Sequence, residues 1–365
     1  MIEFHSSPNP TIGVEIELQL IDDNTLDLKN ISSKVLADID KKFCNRMKYE
    51  LFESMIEINT DICSTIEEVE GDIKQTLRHL EEVLKNYNAS INCSSLHPFA
   101  RGKNQIISND SRYKRIMNDL QIIGIRFITQ GLHVHIGIDE CEKVIKVNNA
   151  LRIYLPLLLA LSTSSPFYEG EDTGLYSYRT KIFESLPLAG MPDYLNNWDH
   201  FTNITENLIK ANVIRSVKDL WWEVRPHPGF GTVEIRICDI PVNLIQILAL
   251  VALMQALVVT IQNLDKYPDT HIQILESNKW QAVRYGLEGT FIDPLTLKQL
   301  PIKKAIEDLC NLIEPVMISL GSAKYVRVIE EILIQGTGAS QKRDIFKKSG
   351  KFEYMIKSMK ERFYQ

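Results

Sequence analysis

The sequence predicts an α+β protein built on a mainly antiparallel sheet, and three observations carry that prediction. First, four short segments alternate apolar residues with acidic or imidazole ones: residues 12–18 (IGVEIEL), 52–58 (FESMIEI), 132–136 (LHVHI) and 233–237 (VEIRI). Strand side chains point to opposite faces with period two, so each segment has one greasy face and one face of potential ligands. Second, strands and helices do not alternate as in a βαβ series. Third, residues 244–261 (LIQILALVALMQALVVTI) form an apolar run that reads as a buried core helix. Its length approaches that of a membrane span, but Gln246 and Gln255 interrupt it and no aromatic or basic collar flanks it.

Taken in order, the first strand ends near Asp22-Asp23-Asn24, a polar hairpin signal, and residues 33–43 read as a short amphipathic helix. The second acidic strand ends near Asn59-Thr60. Ser64 or Thr65 then caps a long helix reaching about Asn88, in which Ile66, Val69, Ile73, Leu77, Leu80 and Leu84 define one buried face. A strand is expected over residues 91–96, a loop over 97–102 and a helix over 110–124. Residues 144–161 read as an apolar helix that Pro156 should kink or break. The irregular stretch 162–192, with its Gly and Pro residues, has the length of a binding loop or lid. Residues 196–212 look helical. Residues 221–225 and 232–239 form an expected strand pair bridged by Pro226-His227-Pro228-Gly229. The remainder is helical apart from a turn at residues 336–339, and the basic stretch 342–360 reads as a solvated helical tail.

The 365 residues suffice for an ample core, and 44% hydrophobic with 24% charged residues is ordinary globular composition. A net charge of −6 with no basic stripe argues against a nucleic-acid partner. The six cysteines show no CxxC spacing, and the N-terminus lacks a basic region followed by an apolar core. Reduced thiols, a cytoplasmic location and no membrane partner are therefore expected.

The polar faces carry the chemistry. Glu15 and Glu17 share a face and would repel without a cation or an arginine between them, although an exposed acidic edge is the plainer reading of that segment alone. Glu53 and Glu57 also share a face on a strand, and would do so on a helix; Glu50 is the weaker third candidate. His133 and His135 form an HxH pattern that suits a metal, zinc included. Glu234 and Arg236 could be a plain ion pair, or could hold a divalent ion and phosphoryl oxygens respectively. No Walker A or dinucleotide fingerprint is present. The backbone at Gly336 and Gly338 could approach a phosphate, while Arg179 and Arg225 are further anion-binding candidates.

Together these segments resemble the carboxylate–amine ligases of the glutamate–cysteine ligase type 2 group. The likeness is carried by TIGVEIELQLID, ELFESMIEINTDIC, SLHPFARG, GLHVHIG, PLLLALSTSSPFYEGEDTGLYSYRTKIFESLPLAGMP, LWWEVRPHPGFGTVEIRICD, NKWQAVRYGLEG and GTGASQKR, almost end to end. One departure is GVEIE where the group often has GVEEE; the two same-face glutamates survive it.

The resemblance implies one ligase domain over residues 1–365 with a glutamine synthetase/guanido kinase-like fold. Helices would pack on the convex face of a curved sheet, and ATP, Mg2+ and an acidic substrate would lie on its concave face. It implies Glu15, Glu17, Glu53, Glu57, His133 and Glu234 as metal ligands, with Glu50 as an alternative. Arg236, Glu57 and Glu234 would act in catalysis, and Arg236 would meet the transferred phosphate or the substrate carboxylate. The implied reaction joins glutamate to an amine such as cysteine through an acyl phosphate, with weak glutamate–cysteine ligase activity; a homodimer is left open. The rival readings are a zinc hydrolase using His133 and His135, and a non-catalytic protein retaining the fold. Glu15→Ala and Glu234→Ala are both expected to abolish ADP release and leave the fold intact.

Overall fold

Alternation at the residue level becomes a two-faced sheet. The computed structural model describes residues 2–364. The chain runs β1 (Ile12–Asp22), α1 (Ser32–Ala37), β2 (Met47–Tyr49), β3 (Met55–Asn59), α2 (Ile66–Lys85), β4 (Ala89–Asn92), α3 (Ser111–Leu120), α4 (Ile122–Ile125) and β5 (Leu132–Gly137). It continues through α5 (Cys141–Ser162), β6 (Phe167–Tyr168), β7 (Glu171–Asp172), α6 (Tyr178–Phe183), α7 (Trp198–Lys210), β8 (Val224–His227), β9 (Thr232–Ile235) and α8 (Leu244–Asn263). A largely helical third follows: α9 (Ile272–Tyr285), the hairpin β10 (Thr290–Ile292) and β11 (Gln299–Pro301), α10 (Ile302–Ser319), α11 (Lys324–Gln335), α12 (Gly338–Ser349) and α13 (Phe352–Glu361).

Seven strands form the main sheet in the order β2-β3-β1-β5-β9-β8, with β4 paired to the far half of β1. Each of these pairings is antiparallel, as the sequence predicts. Val14, Ile16, Ile56, Val134, Ile136 and Ile235 turn one face into the main core. Helices α2, α5 and α8 pack there. Asn243 starts α8 by accepting the Gln246 amide at 3.0 Å. Gln255 is satisfied by the Pro10 carbonyl at 2.8 Å, which is why a polar group is tolerated in so apolar a helix. Both α5 and α8 have the length and composition of a membrane span, yet each is a core helix here. All six cysteines are free thiols.

Several local expectations are corrected. Helix α5 is not broken at Pro156 and runs on to Ser162, with residues on both sides of the proline buried. The fourth strand lies at Ala89–Asn92 rather than 91–96. The β8–β9 turn falls two residues later than expected, since Gly231 rather than Gly229 takes the left-handed φ of 63°. A side chain at Gly231 would overlap the His5 carbonyl. Pro226 is tolerated inside β8 because β8 is an edge strand. The stretch 162–192 is not structureless but contains the β6–β7 hairpin and α6. The C-terminal segment is not a solvated tail either. Lys342 is buried and donates to Ser94 Oγ at 2.5 Å and the Ser164 carbonyl at 2.6 Å, while Phe346 stacks on Phe352.

Glu53 is the largest of these corrections. The strand starts only at Met55, so the alternation that would align Glu53 with Glu57 does not reach it. Its carboxylate instead turns to the start of α1, accepting from Ser32 Oγ at 3.0 Å, the Ser33 amide at 2.8 Å and Ser33 Oγ. Glu53 is a helix cap supplied from outside the helix, not a metal ligand. Glu53→Ala is expected to cost about 1–2 kcal/mol in urea denaturation. Catalytic turnover should be unchanged, and a loss of divalent-ion binding would return Glu53 to the site.

Candidate active site

The polar face is organised by strand register. Glu17 lies opposite Glu57, and Glu15 opposite His133. Further across, His135 faces Glu234, and Glu234 faces Arg225. Side chains directly opposite on neighbouring strands are about 5 Å apart at Cβ. The result is two groups whose ligand atoms lie within 4.8 Å of one another: Glu15, His133 and Glu234, and Glu17, Glu50 and Glu57. Both line a cleft of about 330 Å³, together with Lys48, Arg179, Arg225 and Arg236.

In the first group His133 Nδ1 is 3.3 Å from Glu15 Oε2. Burial, aided by the nearby Arg236 charge, lowers the His133 imidazole to about 4, so it is neutral at pH 7 and has a lone pair for a metal. Burial would raise Glu15, but the His133 hydrogen bond and the neighbouring His135 imidazole hold its carboxyl well below the usual range. Glu234 likewise stays ionised against burial because Arg225 and Arg236 flank it. Arg225 grips it with Nε–Oε2 at 2.7 Å and Nη2–Oε1 at 3.3 Å. Its Nη1 meanwhile donates to the carbonyls of Val217, Lys218 and Leu220. Arg225 is thus spent on positioning Glu234 rather than free for phosphate. Arg236 also pairs with Glu234, but its Nε is buried with no partner. His135 donates or accepts at Thr232 Oγ1 (3.0 Å), and its Nε2 has no hydrogen-bond partner. That nitrogen lies 3.7 Å from Glu15 and 3.8 Å from Glu234.

The second group is a concentration of like charge. Burial is the largest effect on all three carboxyls: it raises Glu17 to about 7, lifts Glu50 well above its usual value and raises Glu57. Opposing these shifts are the Arg179 charge and the Gly131 amide (2.6 Å) on Glu17, and Lys48 (3.3 Å) and Asn59 (2.9 Å) on Glu57. Carboxylates so placed fit a divalent cation, and an all-oxygen donor set suits a hard ion such as Mg2+. The first group, with Glu15, Glu234 and one neutral imidazole, can take a second.

Arg179 enters from α6. Its guanidinium donates to the carbonyls of Ile237 (3.1 Å) and Arg236 (3.3 Å), leaving Nε buried and unpaired. Buried Asp239 anchors the chain around it, accepting from the Ser164 amide at 2.8 Å, Ser165 Oγ at 2.7 Å and Ser177 Oγ at 2.8 Å. Gly131 makes room. A Cβ there would overlap Arg179 Nη2 and press on His133 Nε2 at 3.0 Å. Gly131→Ala is expected to cut turnover about tenfold to a hundredfold, since small misplacement at a reacting centre has that scale of effect. Its circular dichroism should be native; full activity would mean that neither side chain needs its present position.

Gly336 and Gly338 do not line the cleft. A Cβ on Gly338 would strike Val242 and Ser164, and Thr337 bonds Thr163 at 2.7 Å. This turn is a packing joint, which corrects the expectation that it binds phosphate. Reading the residues undervalued Glu50, which reaches the second group from the β2–β3 connection, outside any alternating strand. It missed Tyr113, Phe183 and Asp239, which have no local pattern that marks them.

Comparison with known proteins identifies the family and the fold. The model of the glutamate-cysteine ligase family 2 matches residues 11–361. A relative named "Putative glutamate--cysteine ligase 2" in Gloeobacter violaceus is 39% identical over 359 residues, covering 95% of both chains. One of the same name in Solibacter usitatus is 36% identical, covering 96% of this chain and 93% of that one. The glutamate–cysteine ligase of Francisella tularensis, solved in complex with AMP, superposes with a TM-score of 0.76 at 14% identity, over 98% of this chain and 89% of that one. A bifunctional glutathione synthetase from Pasteurella multocida gives 0.71 at 14% identity, over 97% of this chain and 52% of that one. The fold is the glutamine synthetase-like ligase fold, with its mainly antiparallel sheet.

Proposed function

This chain belongs to the glutamate–cysteine ligase family 2, and from that premise we propose that it joins the γ-carboxylate of L-glutamate to an amine using ATP. Cysteine is one acceptor to test among other amino compounds. The observation that carries the reading is the pair of acid-rich groups on one sheet face with the unpaired Arg236 Nε beside them.

In the proposed reaction a carboxylate oxygen attacks the γ-phosphorus, the bond to the β–γ bridging oxygen breaks, and ADP leaves with the electron pair. The amine nitrogen then attacks the acyl carbon, loses a proton, and displaces phosphate to leave an amide. Mg2+ held by Glu15, His133 and Glu234, and by Glu17, Glu50 and Glu57, would neutralise charge on the phosphate oxygens. The chain's own contribution is alignment and charge. Arg236 offers Nε to an anionic oxygen, Arg225 locks Glu234 in its ionised form, and Arg179 adds a second guanidinium over Glu17. The neutral state of His133 keeps a lone pair available. A zinc hydrolase would need His133 and His135 on one ion, but the close-set group combines His133 with Glu15 and Glu234.

The test is ADP release that requires glutamate, an amine and Mg2+ together, with the amide found by mass spectrometry. Stoichiometric tightly bound zinc and no ADP with any amine would reject the ligase. A pH dependence follows as well. Burial raises Glu17 to about 7 and raises Glu50 and Glu57, so a metal binding there competes with protons. Mg2+ affinity is expected to fall as pH drops below about 7, and calorimetry in buffers of different ionisation enthalpy should show proton release. An affinity flat from pH 6 to 8 would contradict it.

A further inference from the structure

We infer that the acceptor amine carries an apolar body, branched aliphatic or aromatic, and that the wall of the cleft next to Glu17, Glu50 and Glu57 is its subsite. This rests on the ligase reading. Leu120, Phe183 and Leu186, with Ile116, Phe127 and Trp221 packed on them, form an apolar cluster separate from the main core. All six also line the cleft. Ligand pockets combine such walls with a few convergent polar groups, and this cleft has both halves.

The wall begins where the second acid group ends. On α3, Tyr113, Ile116 and Leu120 share one helix face, and the Tyr113 hydroxyl donates to the Tyr49 carbonyl at 3.0 Å, next to Glu50. On α6, Arg179 and Phe183 are one turn apart, with the guanidinium 5.6 Å from the ring centroid. A side chain on Gly131, whose amide holds Glu17, would collide with that same guanidinium. The first acid group has its own flat surface on the other side. There His227 stacks on Phe230 at 4.1 Å and 18°, with His135 edge-on at 5.3 Å. A nucleotide base therefore has an aromatic shelf near Glu234. Glutamate is charged at both ends with only two methylenes between them, so it can cover little of the apolar wall, which leaves the acceptor to fill it. The side chain of cysteine would cover little of it, whereas each further buried methylene gains about fourfold in affinity.

The experiment measures ADP release at saturating Mg2+-ATP and L-glutamate with glycine, L-cysteine, L-leucine, L-phenylalanine and 2-phenylethylamine. At least one apolar acceptor is expected to exceed cysteine by about tenfold or more in kcat/KM, since a branched or aromatic group buries several methylene equivalents. Phe183→Ala and Leu120→Ala, on different helices, should each flatten that preference. Cysteine or glycine as the best acceptor overturns the inference while ADP release keeps the ligase reading. Variants that raise KM for ATP and leave the acceptor ranking intact also overturn it, assigning the wall to the nucleotide. No ADP release with any acceptor in the panel rejects the ligase reading itself, and this inference with it.

Discussion

Glu234→Ala is expected to lose ADP release by about 10³-fold or more and, in the same protein, to lower Tm by about 5 °C. The activity loss follows from removing one ligand of the first acid group. The stability loss has a separate origin. Among the described residues Glu234 is the only carboxylate paired with Arg225, and the closest to Arg236, so its removal leaves buried guanidinium charge uncompensated. Breaking one side of a buried pair typically costs about 3–5 kcal/mol. The fold of Glu234→Ala is still expected to be intact, at reduced stability. The sign of the pH dependence is determined by the carboxyl, whose folded pKa lies well below its unfolded value of 4.5. Its stabilisation is therefore present above about pH 4.5 and disappears as pH falls through the folded pKa. Adding Arg225→Met to Glu234→Ala should recover much of the lost Tm with no gain in turnover. A Tm equal to wild type in the single variant would show that Glu234 is not the electrostatic keystone of this sheet face.

Glu15→Gln is expected to lose activity on the same scale, about 10³-fold, with Tm within about 2 °C of wild type. The amide keeps the shape of the carboxylate and an oxygen that can accept from His133. What it loses is the charge, and that charge also repels Glu234 and Glu57. Removing it leaves no cation stranded, because among the described residues only His133 and His135, and no Lys or Arg, pair with Glu15. The contrast between the variants separates holding a cation from holding the fold. More than a tenth of wild-type ADP release in Glu15→Gln would take this residue out of the ion-binding role.

The legible part of the site was the part written in period two. Glu15, Glu17, Glu57, His133, Glu234 and Arg236 each sit on or directly beyond a strand whose apolar partners alternate cleanly, so one observation placed all six on one face. Glu53 failed because FESMIEI alternates through a segment that is partly turn, and helix capping competes for the same carboxylate. Glu50 was undervalued for the converse reason: it gains its place from how β2 returns to β3, not from a pattern of its own. Gly336 and Gly338 looked like a phosphate loop because glycine marks close approach, but what approaches is Val242 and Ser164. The apolar wall draws on α3, α6 and Trp221, which are far apart in sequence, and no local periodicity could have joined them. The long irregular stretch brings Arg179 and Phe183 to the cleft on a segment tied down by Asp239.

The most direct measurement is anomalous diffraction from crystals grown with Mn2+ and a non-hydrolysable ATP analogue. Two manganese peaks are predicted, one bounded by Glu15, His133 and Glu234 and one by Glu17, Glu50 and Glu57, with phosphate oxygens next to Arg236. Manganese absent from both acid groups, or a lone ion held by His133 and His135 with no nucleotide in the cleft, would contradict it.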